Sequence, residues 1–216
     1  MLGRVAEIIA VEPDGRMRAV LAERTEGVRV LDGRGEAIPL PDSSVDAVFV
    51  STAWHWFDSA LATAEIARVL RDGGRLGVIW TSRDRTDDWV AELDLLRLSA
   101  VPGEASQSRT LDQVREKLDR HHSVTLPPGA PFGSAQAESF TFTRTMDVDD
   151  AVDWLATNGM LITASPSDRE AGMARCRAAL LAHAAADGSR IEMPLRSWCW
   201  RADRLSRNGA RPVRRA

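Results

Sequence analysis

Three short apolar runs, Ile8–Val11, Asp46–Ser51 and Arg75–Trp80, alternate with segments of helical periodicity in the N-terminal half of the chain. A strand that leads through a helix to a further strand at this spacing returns by a right-handed crossover. The product is a parallel sheet with helices on its faces. Glu12-Pro13-Asp14 ends the first run, and Asp14 is placed to cap a helix reaching about Arg24, with Met17, Val20 and Leu21 on one face. Val28–Leu31 reads as a short second strand, and Pro39, Pro41, Asp42 and two serines make a turn. The third strand leads into Ala53-Trp54-His55-Trp56-Phe57. Asp58 then caps a helix in which Ala62, Ile66, Val69 and Leu70 keep helical spacing, with Gly73-Gly74 expected to stop it.

The second half changes character. Asp87 or Asp88 opens a helix carrying Trp89, Leu93 and Leu96, and Leu111, Val114 and Leu118 mark another. Leu126–Gly133 is a Pro/Gly-rich loop, and Ser139–Thr143 alternates as a half-buried strand with Phe140 and Phe142 on one side. Helices are expected over about Val148–Asn158 and Pro166–Ala186, the second with proline in its first turn and Gly188 beyond its end. Ile191, Met193 and Leu195 alternate and Trp198 and Trp200 resume in the other phase, which predicts a strand bulged near Arg196.

Composition narrows the chemistry. With 216 residues, 44% hydrophobic and 27% charged, the chain suits one soluble domain with a sizeable core. The reading is a single domain over 1–203, a cofactor-side half to about 86 and a substrate-side half from about 87, then a basic, disordered tail over 204–216. No run approaches a membrane span and no signal peptide opens the chain, so the expectation is cytoplasmic, without a membrane partner. A net charge of −3 gives no general nucleic-acid footprint; the arginines from Arg201 to Arg215 read as a solvated tail. Cys176 and Cys199 lack metal-ligand spacing and read as core thiols, and no metal is expected. Tyrosine is absent and Lys117 is the only lysine, which excludes a Gly-Lys phosphate loop and a Tyr/Lys hydride-transfer pair.

Glu12, at the end of an early strand, is placed either to accept both hydroxyls of a ribose or to act as a helix-capping loop carboxylate. His55 is the only histidine at a predicted strand end. It reads as a general base or substrate anchor, or as a ring simply held among aromatics. Four pieces then stand in register: Glu12-Pro13-Asp14; Gly33-Arg34-Gly35-Glu36-Ala37-Ile38-Pro39-Leu40-Pro41 running into Asp46–Ser51; Trp54-His55-Trp56-Phe57-Asp58; and Ala64–Leu76 with its Gly73-Gly74. Their order and spacing resemble the class I S-adenosylmethionine-dependent methyltransferases, in the small-molecule subgroup with a type 11 methyltransferase domain. The likeness runs from Ile8 to about Trp89 and continues more weakly through Trp198–Arg201.

The resemblance implies an α/β, Rossmann-like, doubly wound and mostly parallel sheet with helices on both faces and antiparallel C-terminal strands. It implies S-adenosylmethionine as cosubstrate, a small-molecule methyl acceptor as partner, and leaves a homo-oligomer open. Glu12 would hold the ribose, Gly35, Glu36 and Ala37 would lie beside the adenine, and Ser51, Thr52, Ala53, Trp54 and His55 would line the methionine and acceptor end. Arg34 departs from the family, which has a small or acidic residue there, because a guanidinium cannot accept the adenine amino hydrogen bond. A non-catalytic, methyltransferase-like binding protein is the competing expectation.

Family members carry a strand ending Asp-x-Gly-x-Gly-x-Gly ahead of the Glu12 strand, whereas only Met1–Ala6, with Gly3, precedes the strand here. The expectation is therefore an N-terminally truncated fold: a shortened gene reading, a degenerate copy, or a site completed by another chain, in that order. Two or three hydrogen bonds to the amino-acid end, at about 1.5–3 kcal/mol each, would be missing. Calorimetric titration of this 216-residue chain with S-adenosylhomocysteine should then show affinity reduced roughly a hundredfold from a complete site. Micromolar binding would defeat that expectation.

Overall fold

A computed structural model describes residues 5–98, 110, 124–157 and 164–206. It separates into two compact units, Met1–Ile79 with Val124–Glu138 and Cys199–Ala216, and Trp80–Ser123 with Ser139–Trp198. The predicted helix around Leu111–Leu118, Lys117, His121, His122 and the tail beyond Ser206 lie outside the described residues; the solvated-tail reading is corrected at Arg204, which is buried and donates to the Leu70 carbonyl and to Asp72.

In the first unit, β1 (Ile8–Val11) pairs in parallel with β2 (Val28–Leu31), Ile8 opposite Val28 and Val11 opposite Leu31. The intervening α1 (Gly15–Arg24) is capped as expected: the Asp14 carboxylate accepts the N–H groups of Arg16 and Met17 at 2.8 and 3.1 Å. Its apolar face is not covered, and Met17 and Val20 are 62% and 56% exposed. Two four-residue strands offer too little apolar surface to bury a helix face.

A second parallel pair joins β3 (Val45–Ser51) to β4 (Leu70–Arg83), with α2 (Ser59–Val69) between them. Asp58 caps α2 by accepting the N–H groups of Ala60 and Leu61. The predicted stop at Gly73-Gly74 is corrected. The helix ends at Val69, and Leu70 turns extended, fully buried, opposite Val45. The pairing then jumps to Ala47 opposite Arg75, so the two glycines kink β4 rather than end a helix. Gly73 takes φ 75° there, and backbone bonds to Arg204 hold the kink. Burial of Leu70 and Leu76, each 0% exposed, outweighs the local stop signal.

The strand order is β3-β4-β6-β5, where β5 is Gln136–Asp147 and β6 is Arg190–Asp203. Side-chain bonds from Arg75 to Asp203 and between Thr81 and Ser197 run in opposite chain directions, so β6 lies antiparallel to β4. The buried phase of β6 shifts between Ser197 and Trp200, a little beyond the position expected at Arg196. The half-buried reading of Ser139–Thr143 is corrected: β5 is longer, edge-placed and exposed except at Met146, with Phe140 and Phe142 at 50% and 45%. An edge strand has a neighbour on one side only, so its side chains keep contact with water.

The second unit packs α3 (Asp88–Leu98) and α4 (Val148–Ala156) against α5 (Pro166–Ala182). Leu93, Leu155, Cys176, Leu180, Ile191 and Met193 form its dry centre. α5 stops at Ala182, short of the predicted Ala186. The Ala185 N–H instead donates to the Arg190 carbonyl at 2.8 Å, drawing the chain into a turn at Gly188, φ 69°, that feeds β6. Both cysteines are free; Cys176 is buried and Cys199 half-buried. No helix among the described residues is long and apolar enough to cross a membrane.

Two glycines of β4 separate backbone from side-chain constraint. A Cβ on Gly74 would lie 2.8 Å from the Arg71 carbonyl oxygen and 3.0 Å from that of Asp46, whereas one on Gly77 would meet only the ring of Phe49, itself 58% exposed. Gly74→Ala should therefore cost about 1–3 kcal/mol, and Gly77→Ala should cost well under 1 kcal/mol because the ring can swing away. Urea midpoints of the two variants measure the contrast.

Candidate functional site

Parallel strands release the chain at their carboxyl ends, and the predicted site residues sit there within the first unit. Glu12 follows Val11 directly, half-buried. Its Oε1 accepts the Asp14 N–H at 2.9 Å, and Oε2 makes no hydrogen bond among the described residues. The backbone is held by the Glu12 N–H donating to Leu31 and by Arg18 donating to the Glu12 and Pro13 carbonyls. One oxygen thus orients the carboxylate while the other stays open as an acceptor.

The chain leaving β2 folds back onto both neighbours. A Cβ at Gly33 would stand 2.6 Å from Pro39 and 3.0 Å from Val11, so only glycine fits beside the Glu12 strand. Arg34 and Ala37 exchange backbone hydrogen bonds at 3.4 and 3.0 Å, closing a tight turn over Gly35 and Glu36. A Cβ at Gly35 would meet the Phe57 ring at 2.8 Å. Glu36 accepts the Asp58 N–H through Oε1 at 2.9 Å, which ties the turn to the start of α2. Further on, Glu65 accepts the Ile38 N–H, and Arg68 donates to the Ile38 and Leu40 carbonyls and to Asp42. These bonds fix the loop without using its outer face, where the Arg34 side chain is exposed.

At the end of β3, Ser51 is exposed and Thr52 adopts φ 55°, with its N–H donating to Ile79 at 2.8 Å. A β-branched residue in the left-handed region is strained. Here it turns the chain off the sheet into the 3-10 turn Trp54–Trp56. Trp54 is buried and edge-on to Phe57 with centroids 6.1 Å apart, while His55 is exposed beside Trp56, 4.9 Å away. Trp56, 79% exposed, leaves an aromatic face open. The structure therefore links Gly33 to Val11, next to Glu12, and Gly35–Glu36 to Phe57–Asp58, next to the Trp54–His55 turn. Glu36 and Gly35 have firm structural duties that the sequence did not announce.

The Methyltransferase domain family matches residues 1–78. A Mycobacterium tuberculosis protein described as an uncharacterized methyltransferase is 36% identical over 203 residues, 94% of this chain and 76% of its own length. The chain belongs to the class I S-adenosylmethionine-dependent methyltransferases. A malonyl-[acyl-carrier protein] O-methyltransferase of Methylococcus capsulatus is 39% identical over 75 residues, 33% of this chain and 27% of its own. A type II methyltransferase structure from Anaeromyxobacter dehalogenans, 22% identical, aligns with TM-score 0.58 over 92% of this chain and 80% of that one, which supports the Rossmann-like fold.

This methyltransferase also carries a buried charge cluster in its second unit that sequence reasoning missed. Asp94 on α3 is 1% exposed and accepts Arg83 Nη2 at 2.8 Å, Arg97 Nε at 3.0 Å and Arg85 Nε. Three arginines on one aspartate are invisible in sequence because Arg83 and Arg85 belong to a strand end and its turn, while Asp94 and Arg97 share a helix face. Burial alone would raise the Asp94 carboxyl, but the charges of Arg83, Arg85 and Arg97 override it and hold it well below the usual carboxylate range. Burial pulls the Arg85 guanidinium down to about 10, partly offset by Asp94.

Two outcomes follow. Replacing the strained residue, Thr52→Gly should raise stability by up to about 1 kcal/mol in urea unfolding, since the left-handed conformation costs roughly that for a residue with a Cβ. The depressed Asp94 carboxyl contributes stability that is complete above the unfolded value near ~3.9 and is lost as pH falls below it. Acid unfolding of the second unit should therefore steepen below about pH 4, and Asp94→Asn should unfold with a flatter acid limb and a loss of about 3–5 kcal/mol at neutral pH.

Proposed function

We propose that this chain transfers the methyl group of S-adenosylmethionine to a small-molecule acceptor. The open Oε2 of Glu12 at the carboxyl end of β1 carries the reading. It is a half-buried acceptor, pre-oriented through its partner oxygen, of the kind that takes ribose hydroxyls. Gly35, Glu36 and Ala37 would flank the adenine with backbone groups and the Phe57-backed turn. Ser51, Trp54 and His55 would face the methionine and acceptor end, where an aromatic face suits a sulfonium cation.

When bound, S-adenosylmethionine supplies a methyl carbon on a good leaving group. The acceptor's lone pair forms the new bond to carbon as the carbon–sulfur bond breaks, and the sulfur leaves as a neutral thioether. The protein's task is alignment and exclusion of water. His55 would accept the proton that the acceptor releases. The Methylococcus relative shares too little of the chain to carry its acceptor over.

Glu12→Gln keeps the shape and the neutral acceptor but removes the charge. It should weaken S-adenosylhomocysteine binding about tenfold or more, the loss of a charge-assisted bond worth roughly 1.5–3 kcal/mol. Circular dichroism should be unchanged. Equal calorimetric affinity in wild type and variant would remove Glu12 from the cofactor site.

A further inference from the structure

Arg83 is the last residue of β4 and lies in the second unit. Its side chain is 9% exposed and that of Arg97 is 7% exposed, and both guanidiniums are fixed on Asp94. Arg83 also lies over the ring of Trp154, 5.0 Å from its centroid, which sets the plane of its fork. Yet Arg83 Nε and Arg97 Nη1 are buried without an acceptor among the described residues. A buried N–H of a cation without a partner is costly, and such groups call for a water, an ion or a ligand.

Asp94 cannot supply what is missing. Its Oδ1 already takes Arg83 and Arg97, and its Oδ2 takes Arg85. Arg83, Arg85 and Arg97 against the one carboxylate of Asp94 leave two positive charges over, with two N–H groups open among the described residues. A ligand that answers this is an anion with acceptor oxygens for both N–H groups. A carboxylate supplies them, and its two oxygens match guanidinium geometry.

We propose that Arg83 and Arg97 form a binding site for the carboxylate of a small organic acid. The anion site stands on its own geometry and does not rest on the methyltransferase reading. Asp94 is the positioning residue that holds both guanidiniums in place.

The test is calorimetric titration of the full chain with succinate and, separately, with inorganic phosphate and S-adenosylhomocysteine. Succinate should bind, and Arg83→Met and Arg97→Met should each weaken it tenfold or more. Arg83→Lys should fail to restore it, because an ammonium lacks the fork. Arg16→Met, at a side chain 95% exposed, should leave it unchanged. If the methionine variants do not fold, the Arg83 and Arg97 Nε–H resonances of the wild type should shift on adding succinate. Absence of succinate binding, binding unmoved by these variants, unshifted Nε–H resonances, or phosphate binding more tightly than succinate would each overturn the assignment. Succinate binding without S-adenosylhomocysteine binding would leave the anion site standing and count against the cofactor reading alone. The reverse pattern would remove only the anion site.

Discussion

Parallel strand pairing governs where this chain can do chemistry. Each strand of a parallel pair must release the chain at the same end, and the return through a helix consumes the other end. In the first unit that rule places Glu12 after β1, the Gly33–Ala37 turn after β2 and the Thr52–Phe57 turn after β3. None of these residues is close to the others in sequence by more than local accident. Within each pair the relation comes from a crossover helix, α1 for β1 and β2 and α2 for β3 and β4, while contacts of Gly35 with Phe57 and of Glu36 with Asp58 tie the second turn to the third.

Holding the turns in place falls to a few polar side chains on α2 and its approach. Glu36 binds the Asp58 N–H, Glu65 binds the Ile38 N–H, and Arg68 collects two carbonyls and Asp42. The side-chain bonds from Glu65 draw its carboxyl down, offset by some burial, as expected for a carboxylate bonded to Arg68 and a backbone N–H. The glycines of the turn serve close approach: Gly33 to Pro39 and Val11, Gly35 to Phe57. The same residues that resemble a cofactor motif are thus also required by packing, and a substitution at Gly35 would disturb the loop before any ligand arrives.

The second unit solves a different problem. Its apolar centre is ordinary, but Asp94 and its arginines lie beside it, where charges are expensive unless paired. One carboxylate engaged by three guanidiniums gains strong attraction and leaves Arg83 and Arg97 each with an open N–H. Such an arrangement is better suited to holding a geometry than to stabilising the fold, because apolar residues of equal volume would pack there at lower electrostatic cost.

What could be read from the sequence was whatever local chemistry dictates. Asp14 and Asp58 are short acceptors ahead of helical runs and cap as expected. The family likeness of Glu12, Gly33–Pro41 and Trp54–Asp58 also needed no coordinates, since spacing along the chain carries it. Competition between local and distant contacts was not legible. Gly73-Gly74 looks like a helix stop, yet Leu70 leaves the helix earlier because the core takes it, and the glycines become a kink in β4. Phe140 and Phe142 alternate like a buried face, but burial depends on the neighbours of β5, and an edge position leaves them open. The Asp94 cluster is the fullest case. Charge type and number were plain in the sequence, while convergence on one buried carboxylate required the strand end and the helix face to meet, and only tertiary packing brings them together.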